Sequence, residues 1–271
     1  MNRDLLLEQF TPTWLGRILE CHEVLASTNE RARQILDRLG PAGHGAVVFA
    51  DEQTGGRGRQ GRSWHSPRGL GTACSVALWT KGRAGGLQPL QLCGSLATLS
   101  AIRRTTGLEA GLKWPNDVLL GGKKVGGVLV EARFLGDSPA GLVVGIGINL
   151  LHRASDFPPD LRTTATSLFL ASGRELVPEA FACELLSALA PLVEEGLERP
   201  ASLVALAGPR WIHRPGDPLM VATGSGPLRG TFAGVGLDGA LLLDVDGSRR
   251  AVHDGEVLRV RPAGAVADDP S

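Results

Sequence analysis

The sequence predicts a mixed α and β protein with a small all-β unit at its end. Two observations predict it. From Arg17 to Leu197, short apolar runs of strand character are interspersed with segments whose apolar residues recur at helical spacing. Beyond about Gly208 the mixture gives way to five closely spaced short strand candidates, most separated by glycine-containing turns, which suits a β-barrel of about 50 residues. The length of 271 residues suffices for one large domain, or for a catalytic domain with a small appendage, and for a core without covalent staples.

The elements follow in order. Arg17–Leu25 reads as a strand. Ser27 opens a helix to about Leu39, where Ser27 and Glu30 fit a capping box and Ile35, Leu36 and Leu39 form the apolar face. Gly40-Pro41 ends it, and Ala46–Ala50 is a short buried strand. Asp51–Gly71 is polar, with six glycines and four arginines, and is too long for a mere connector. Thr72–Trp79 is a strand, and Leu87–Arg103 a helix with Leu92, Leu96, Leu99 and Ile102 near helical spacing. Gly111–Trp114 leads into a hairpin: Val118–Leu120, a Gly121-Gly122 turn, then Lys124–Arg133. Gly141–Leu150 is a further strand, His152–Thr166 a Pro- and Thr-rich loop, and Pro178–Leu197 a helix with proline in its first turn. The terminal strands start near Pro218, Leu228, Ala240, Arg249 and Glu256, and a tail ending Asp-Asp-Pro-Ser is expected to be disordered.

Charge and cysteines exclude several classes. Lys+Arg and Asp+Glu are both 28, so no global field draws the chain to DNA or to an anionic membrane. Aromatics are 4% and Tyr is absent, so the core is aliphatic; 37 glycines point to tight turns or backbone-lined sites. Cys21, Cys74, Cys93 and Cys183 form no CxxC or Cys–His cluster, and free thiols of a reducing cytoplasm are expected rather than zinc ligands or disulfides. The start, MNRDLLLEQF, lacks a signal peptide's apolar run, and no apolar stretch reaches the roughly 20 residues of a membrane helix. The six histidines show no metal-ligand spacing and no Ser–His–Asp order.

Three segments carry chemistry. In Gly55-Gly-Arg-Gly-Arg-Gln-Gly-Arg62 the glycines let the backbone approach a ligand, and the arginines offer planar forks for phosphate or carboxylate. An exposed basic loop is an equal reading. The literal GxGxxG of Gly56, Gly58 and Gly61 is weak, because no helix reads on from it. In Lys113-Trp-Pro-Asn-Asp117, Asn116 and Asp117 are also ordinary turn formers after a proline. Lys124 starts an otherwise apolar strand, where its amine either points into a cleft toward an anion or forms a solvated pair. The alternate glycines of Gly145-Ile-Gly-Ile-Asn149 imply something packed close to the backbone, and Asn149 reads a base edge or closes a turn. Ser27-Thr-Asn29 is a helix cap, and a helix N-terminus is also a polar-ligand site.

Taken in order, these segments resemble one family, the biotin protein ligases. The resemblance rests on Ser27-Thr-Asn29, Glu52–Arg62 with Trp64 and Pro67, Leu112–Asp117, Lys124-Val-Gly-Gly127, Gly145–Asn149 and the loop Phe157–Leu168, and covers about residues 17–262. It implies an α+β fold: a catalytic domain over 1–208 resembling class II aminoacyl-tRNA synthetases, an SH3-like C-terminal barrel over 209–262, and a tail over 263–271. The implied reaction attaches biotin to a lysine of the biotin carboxyl carrier domain of a biotin-dependent carboxylase. It runs through biotinyl-5′-AMP and uses ATP with Mg2+. Such chemistry needs charge neutralisation and positioning more than a covalent nucleophile.

The resemblance also implies roles. Ser27, Thr28, Asn29 and Gln53 line the biotin ureido pocket. Arg57, Gly58 and Arg59 close over biotin and the adenylate phosphate. Lys124 meets the biotin carboxyl oxygen and the phosphate. Asn116 and Asn149 lie by the adenine, and Trp64 walls the nucleotide. Asp117 orients the acceptor lysine or a magnesium ion, though no residue is assigned as a metal ligand. Gln60 stands where the family often has a basic residue. Lipoate–protein ligase shares the fold and the acyl-adenylate chemistry; the Gly-Arg-Gly-Arg segment and the terminal barrel favour biotin. A biotin-responsive repressor needs an N-terminal winged helix, for which the roughly 25 residues before Ser27 leave no room. The expectation is a monofunctional cytoplasmic enzyme without specific DNA binding, monomeric or homodimeric.

Overall fold

The computed structural model describes residues 1–80, 87–135 and 138–258. Helix α1 (Arg3–Gln9) is capped by Asn2, whose side chain accepts from the Asp4 and Leu5 amides. Then come β1 (Leu19–Leu25), α2 (Thr28–Leu39), β2 (Val47–Gln53) and β3 (Gly71–Trp79). Helix α3 (Leu87–Thr106) precedes β4 (Gly111–Lys113), β5 (Asp117–Leu120), β6 (Lys123–Leu135) and β7 (Ser138–Asn149). Three helices follow, α4 (Leu168–Ser172), α5 (Pro178–Glu198) and α6 (Pro200–Ala207). Last come β8 (Pro218–Thr223), β9 (Gly226–Val235), β10 (Leu241–Val245), β11 (Ser248–Val252) and β12 (Glu256–Leu258).

Strands β1 to β7 form one sheet in the order β1-β2-β3-β7-β6-β5-β4. Only β1 and β2 pair in parallel; the remaining neighbours are antiparallel. The period-2 alternation of strands gives each face its own task. Val76, Val144, Ile146 and Ile148 join the main core with Leu92, Ile102 and Leu186 of α3 and α5. On the other face, Val48, Ala77 and Val143 meet Ala32, Ile35 and Leu36 of α2. Next to Val143 on that second face stand Gly145 and Gly147. On this face, the strip of β7 beyond the N-terminus of α2 is thus bare of side chains.

Strands β8 to β12 form a second sheet, in the order β11-β10-β9-β8-β12. This unit is joined to the first beside the Lys-Trp-Pro segment. The Ile212 amide donates to the Leu112 carbonyl at 2.9 Å, and buried Trp114 donates its indole N–H to the Gly239 carbonyl at 3.0 Å. The Trp114–Pro115 peptide is cis.

The expected elements appear within a few residues of their positions, including all five terminal strands. Helices α1, α4 and α6 were not expected: each is at most eight residues long, too short for a periodic signal. One detail is corrected. Ser27 caps α2 by accepting from the Glu30 amide, but the Glu30 carboxylate pairs with Arg33 instead of returning to Ser27, so the capping box is half formed. The expected disordered tail over 263–271 lies outside the described residues.

Candidate active site

A cavity of about 790 Å3 lies over the bare strip, between the first sheet and the C-terminal unit. Every site residue expected from the sequence lines it: Ser27, Thr28, Asn29, Gln53, Arg57, Gly58, Arg59, Trp64, Asn116, Asp117, Lys124 and Asn149. They come from α2, the end of β2, the arginine loop, the β4–β5 connection, β6 and β7. Sequence separations above 100 residues collapse into one site.

The floor is built from backbone. A Cβ on Gly145 would lie 2.1 Å from Asn29 Oδ1, and one on Gly147 would lie 2.6 Å from Trp64 Cε2. The alternate glycines thus serve close approach, as their pattern implied: Asn29 and Trp64 lie directly on β7. Gly127 does the same for Lys124, whose Cε is 3.3 Å from the position of a Cβ there.

One end of the cavity is a neutral polar cluster at the N-terminus of α2. Gln53 Oε1 accepts from the Thr28 amide at 2.8 Å and lies 3.1 Å from Thr28 Oγ1. Ser75, fully buried on β3, lies 2.7 Å from Thr28 Oγ1 and 2.6 Å from Asn29 Oδ1. Asn29 Nδ2 donates to Glu131 Oε2 at 2.6 Å. Ser75 and Glu131 escaped the sequence reading. Their only signal was a polar residue inside an apolar strand, which a solvent-facing position would produce equally.

The middle of the cavity is cationic. Lys124 Nζ lies 2.6 Å from Asp117 Oδ1 and 5.6 Å from the Trp64 ring centroid. Of the two readings of Lys124, the cleft is realised, with Asp117 as its counter-ion. The Lys124 backbone is fixed on one side by the 164–166 segment: its amide donates to the Thr164 carbonyl and its carbonyl accepts from the Thr166 amide, both at 2.8 Å. Asn116 Nδ2 donates to the Val128 carbonyl at 2.8 Å and Asn149 Nδ2 to the Thr166 carbonyl at 2.9 Å. Their turn-forming and ligand-facing readings are therefore compatible, since each amide oxygen is left to accept.

The arginine loop closes the cavity. It makes a 3-10 turn at Arg59–Gly61 with Gln60 in the left-handed region at φ 54°, and continues as extended chain, which explains why its GxGxxG opens no helix. Arg57 reaches Glu131 at 3.4 Å. Arg59 is held from outside the loop. Its guanidinium donates to the Asp254 carboxylate and, at 3.1 Å, to the Gly255 carbonyl, while Arg62 pairs with Glu256 at 2.7 Å. Burial draws the Arg59 pKa down, and Asp254 opposes that. The C-terminal unit thus latches the loop. Nothing local to Asp254 or Glu256 signals this, because the contact spans 195 residues.

At the cavity wall, His152 stacks on Phe157 with 4.8 Å between centroids, and His65 is tilted against His152 at 6.2 Å. His152 is fully buried, and neither ring nitrogen has a hydrogen-bond partner among the described residues. Burial, aided by nearby His65, holds its pKa down to about 4 from the ordinary 6.5. Asp156 is the one acidic group that counters this. The folded state therefore refuses a proton that the unfolded chain takes up below about pH 6.5, and stability falls as pH drops from there toward about 4. His152→Phe keeps the stack and removes the titration. Relative to the wild type, it should gain about 1–2 kcal/mol of stability between pH 7.5 and pH 5, measured by urea unfolding. Parallel pH profiles for the two proteins would refute this.

The four cysteines are free; burial pushes Cys21 up to about 11, Cys93 to about 12 and Cys183 to about 11, so none is a poised nucleophile. Among the described residues no group of three or more His, Cys, Asp or Glu side chains could hold a metal ion, and no helix is long and apolar enough to cross a membrane.

The cavity thus combines a backbone floor, a hydrogen-bonding end, a central lysine–aspartate pair and a two-arginine lid, the make-up of a site for a polar, anionic ligand. Residues 22–149 match the model of the Biotin/lipoate A/B protein ligase family. A biotin–[acetyl-CoA-carboxylase] ligase of Paracoccus denitrificans is 34% identical over 241 residues, covering 86% of this chain and 96% of that protein. The bifunctional ligase/repressor BirA of Bacillus subtilis is 29% identical over 243 residues, covering 90% of this chain and 74% of its own. The biotin protein ligase of Aquifex aeolicus, in complex with biotin and ATP, has a TM-score of 0.76 at 28% identity, with 89% of this chain and 98% of that chain covered. The chain belongs to the biotin protein ligase family, and it is a ligase.

Proposed function

We propose that this protein attaches biotin to one lysine of a biotin carboxyl carrier domain of a biotin-dependent carboxylase, through biotinyl-5′-AMP. The observation that carries the reading is the convergence of all the expected site residues on one cavity with a neutral end and a cationic centre. We also read the chain as a catalytic domain over 1–208, resembling class II aminoacyl-tRNA synthetases, and an SH3-like barrel over 209–262. Two separate sheets support this division, and the barrel reading is supported by the terminal strand order, in which the last strand returns beside the first.

The biotin carboxylate attacks the α-phosphorus of ATP, and pyrophosphate leaves. The amine of the carrier lysine then attacks the carbonyl of the mixed anhydride, and AMP leaves. Ser27, Thr28, Asn29 and Gln53 receive the ureido ring. Lys124 sits where carboxylate and phosphate charge meet, and its pair with Asp117 keeps it aimed. Asn116 and Asn149, each oriented by one amide hydrogen donated to the backbone, offer oxygens to the adenine amino group. Trp64 walls the nucleotide, and Arg57, Gly58 and Arg59 close over the adenylate. Mg2+, carried by ATP, would supply neutralisation of the phosphate charge. The sparse carboxylates suit an ion carried largely by phosphates and water.

The test is incubation with ATP, Mg2+, biotin and a carrier domain, followed by mass spectrometry of the carrier. One biotin on one lysine is expected, and none when lipoate replaces biotin. Modification by lipoate instead would establish the rival ligase.

Arg59 is assigned to retention of the intermediate. Arg59→Gly removes a forked cation and its latch to Asp254, and adds backbone freedom. The variant should still make biotinyl-AMP but release it, so that unrelated proteins become biotinylated at exposed lysines. An Arg59→Gly protein that makes no adenylate, or retains all of it, would contradict this assignment.

Specific DNA binding is not part of the reading, given the balanced charge. Any shift of promoter DNA should be weak, sequence-independent and lost on raising salt. A salt-resistant, sequence-selective complex would refute that.

A further inference from the structure

Glu131 stands on β6 beside the neutral end of the cavity, and its carboxylate touches two parts of the site. Oε2 accepts from Asn29 Nδ2 at 2.6 Å, and Oε1 lies 3.4 Å from Arg57 Nη2. The Leu129 carbonyl lies 3.5 Å from the same Asn29 nitrogen. A carboxylate and a carbonyl only accept, so both Asn29 amide hydrogens must face them. The Asn29 oxygen is thereby turned toward Ser75, flat on Gly145.

Proton counting then fixes the rest. The Ser75 hydroxyl has one proton and two oxygens in reach, Asn29 Oδ1 at 2.6 Å and Thr28 Oγ1 at 2.7 Å. An amide oxygen cannot donate, so the Ser75 proton goes to Asn29. The contact between Ser75 and Thr28 must then use the Thr28 proton. Its alternative acceptor, Gln53 Oε1, is farther at 3.1 Å and already takes the Thr28 amide. With its proton spent on Ser75, Thr28 has only lone pairs to offer the cavity. If Asn29 were turned over, the chain would reverse: Asn29 would donate to Ser75, Ser75 to Thr28, and the Thr28 proton would be released toward Gln53 or the ligand.

We infer that Glu131 is a specificity-determining positioning residue: it sets the direction of a hydrogen-bond relay through Asn29, Ser75 and Thr28, so that the pocket accepts an N–H donor. This rests on biotin as the ligand, whose ureido ring carries two N–H groups. The ion pair to Arg57 ties the same carboxylate to the arginine loop.

The test is biotin titration by calorimetry, with the KM for ATP measured alongside. Glu131→Gln lets Asn29 adopt either orientation, and biotin binding should weaken about tenfold with the KM for ATP unchanged, because one buried hydrogen bond is misaligned. Asn29→Asp sets two carboxylates against each other and should weaken binding about 100-fold. The double variant Asn29→Asp/Glu131→Gln restores a donor facing an acceptor and keeps Ser75 donating to residue 29. It should recover to within about threefold of Glu131→Gln, since contacting sites are not additive. Should Asn29→Asp fail to fold, Ser75→Ala cuts the relay in its middle, and Glu131→Gln added to it should cost nothing further.

Unaltered biotin binding in Glu131→Gln overturns the inference. So does a double variant no better than Asn29→Asp, or full additivity with Ser75→Ala. A wild-type protein that binds no biotin overturns the proposed function and this inference with it, whereas wild-type binding with any of the preceding results overturns the inference alone.

Discussion

Lys124→Ala is expected to slow biotinyl-AMP formation by roughly 30- to 1000-fold, the loss of about 2–4 kcal/mol of a charge-assisted contact made mainly in the transition state. The backbone at residue 124 is bonded to Thr164 and Thr166 on one side and pairs with β5 on the other, so truncation removes the ammonium without moving the strand. Arg57 and Arg59 cannot substitute: the first reaches toward Glu131 and the second is held by Asp254 and Gly255. Biotin binding should fall much less than the rate, because the ureido contacts at the far end of the cavity remain. The measurement is single-turnover pyrophosphate release against a biotin titration. Asp117, only 16% exposed, loses its counter-ion in this variant. Lys124→Ala/Asp117→Asn therefore separates the effects, and should regain stability without regaining rate. Adenylate formation within threefold or so of wild type in either variant would remove Lys124 from the centre of the chemistry, since an effect of that size is no larger than an ordinary surface ion pair.

Gly145→Ala is the second. The added methyl would sit 2.1 Å from Asn29 Oδ1 and 2.8 Å from its Cγ. Asn29 is 5% exposed and bonded to Ser75 and Glu131, so it cannot yield without breaking those contacts or lifting the start of α2 from the sheet. A loss of about 1–3 kcal/mol of stability is expected from overpacking alone. Biotin binding should be lost with it, because Thr28 and Asn29 move together. Gly147→Ala is the contrast. Its methyl meets Trp64, a partly exposed ring on the arginine loop that can swing outward. Its stability should stay near wild type while adenylate formation falls. Urea unfolding and biotin titration of the two variants decide the matter; equal effects on stability would show that the floor does not distinguish the two partners.

Much of the fold was legible because it is written in local patterns. The five terminal strands are short, regularly spaced and cut by glycine, and each appears where its pattern stood. Helix α3 was readable from its apolar spacing and β3 from its short apolar run, whereas α1, α4 and α6 were not, since one or two turns cannot establish a period. The candidate site was legible to an unusual degree because its residues lie in compact motifs of rare composition. Glycines at alternate positions of β7 announced a close approach, and the structure supplies the partners, Asn29 and Trp64.

By itself, the sequence determined which segments would line one cavity, and its resemblance to the biotin protein ligases named the residues. Only the tertiary structure decided how those residues are held. It pairs Lys124 with Asp117, fastens Arg59 and Arg62 to Asp254, Gly255 and Glu256 of the terminal unit, and sets Ser75 and Glu131 under the polar end of the cavity. The physical reason is that a hydrogen bond is a matter of a few tenths of an ångström and of direction. Those follow from strand register and from the docking of one unit on another. Chain neighbours carry no record of either: an aspartate 195 residues from its arginine looks, in the sequence, like any solvated charge.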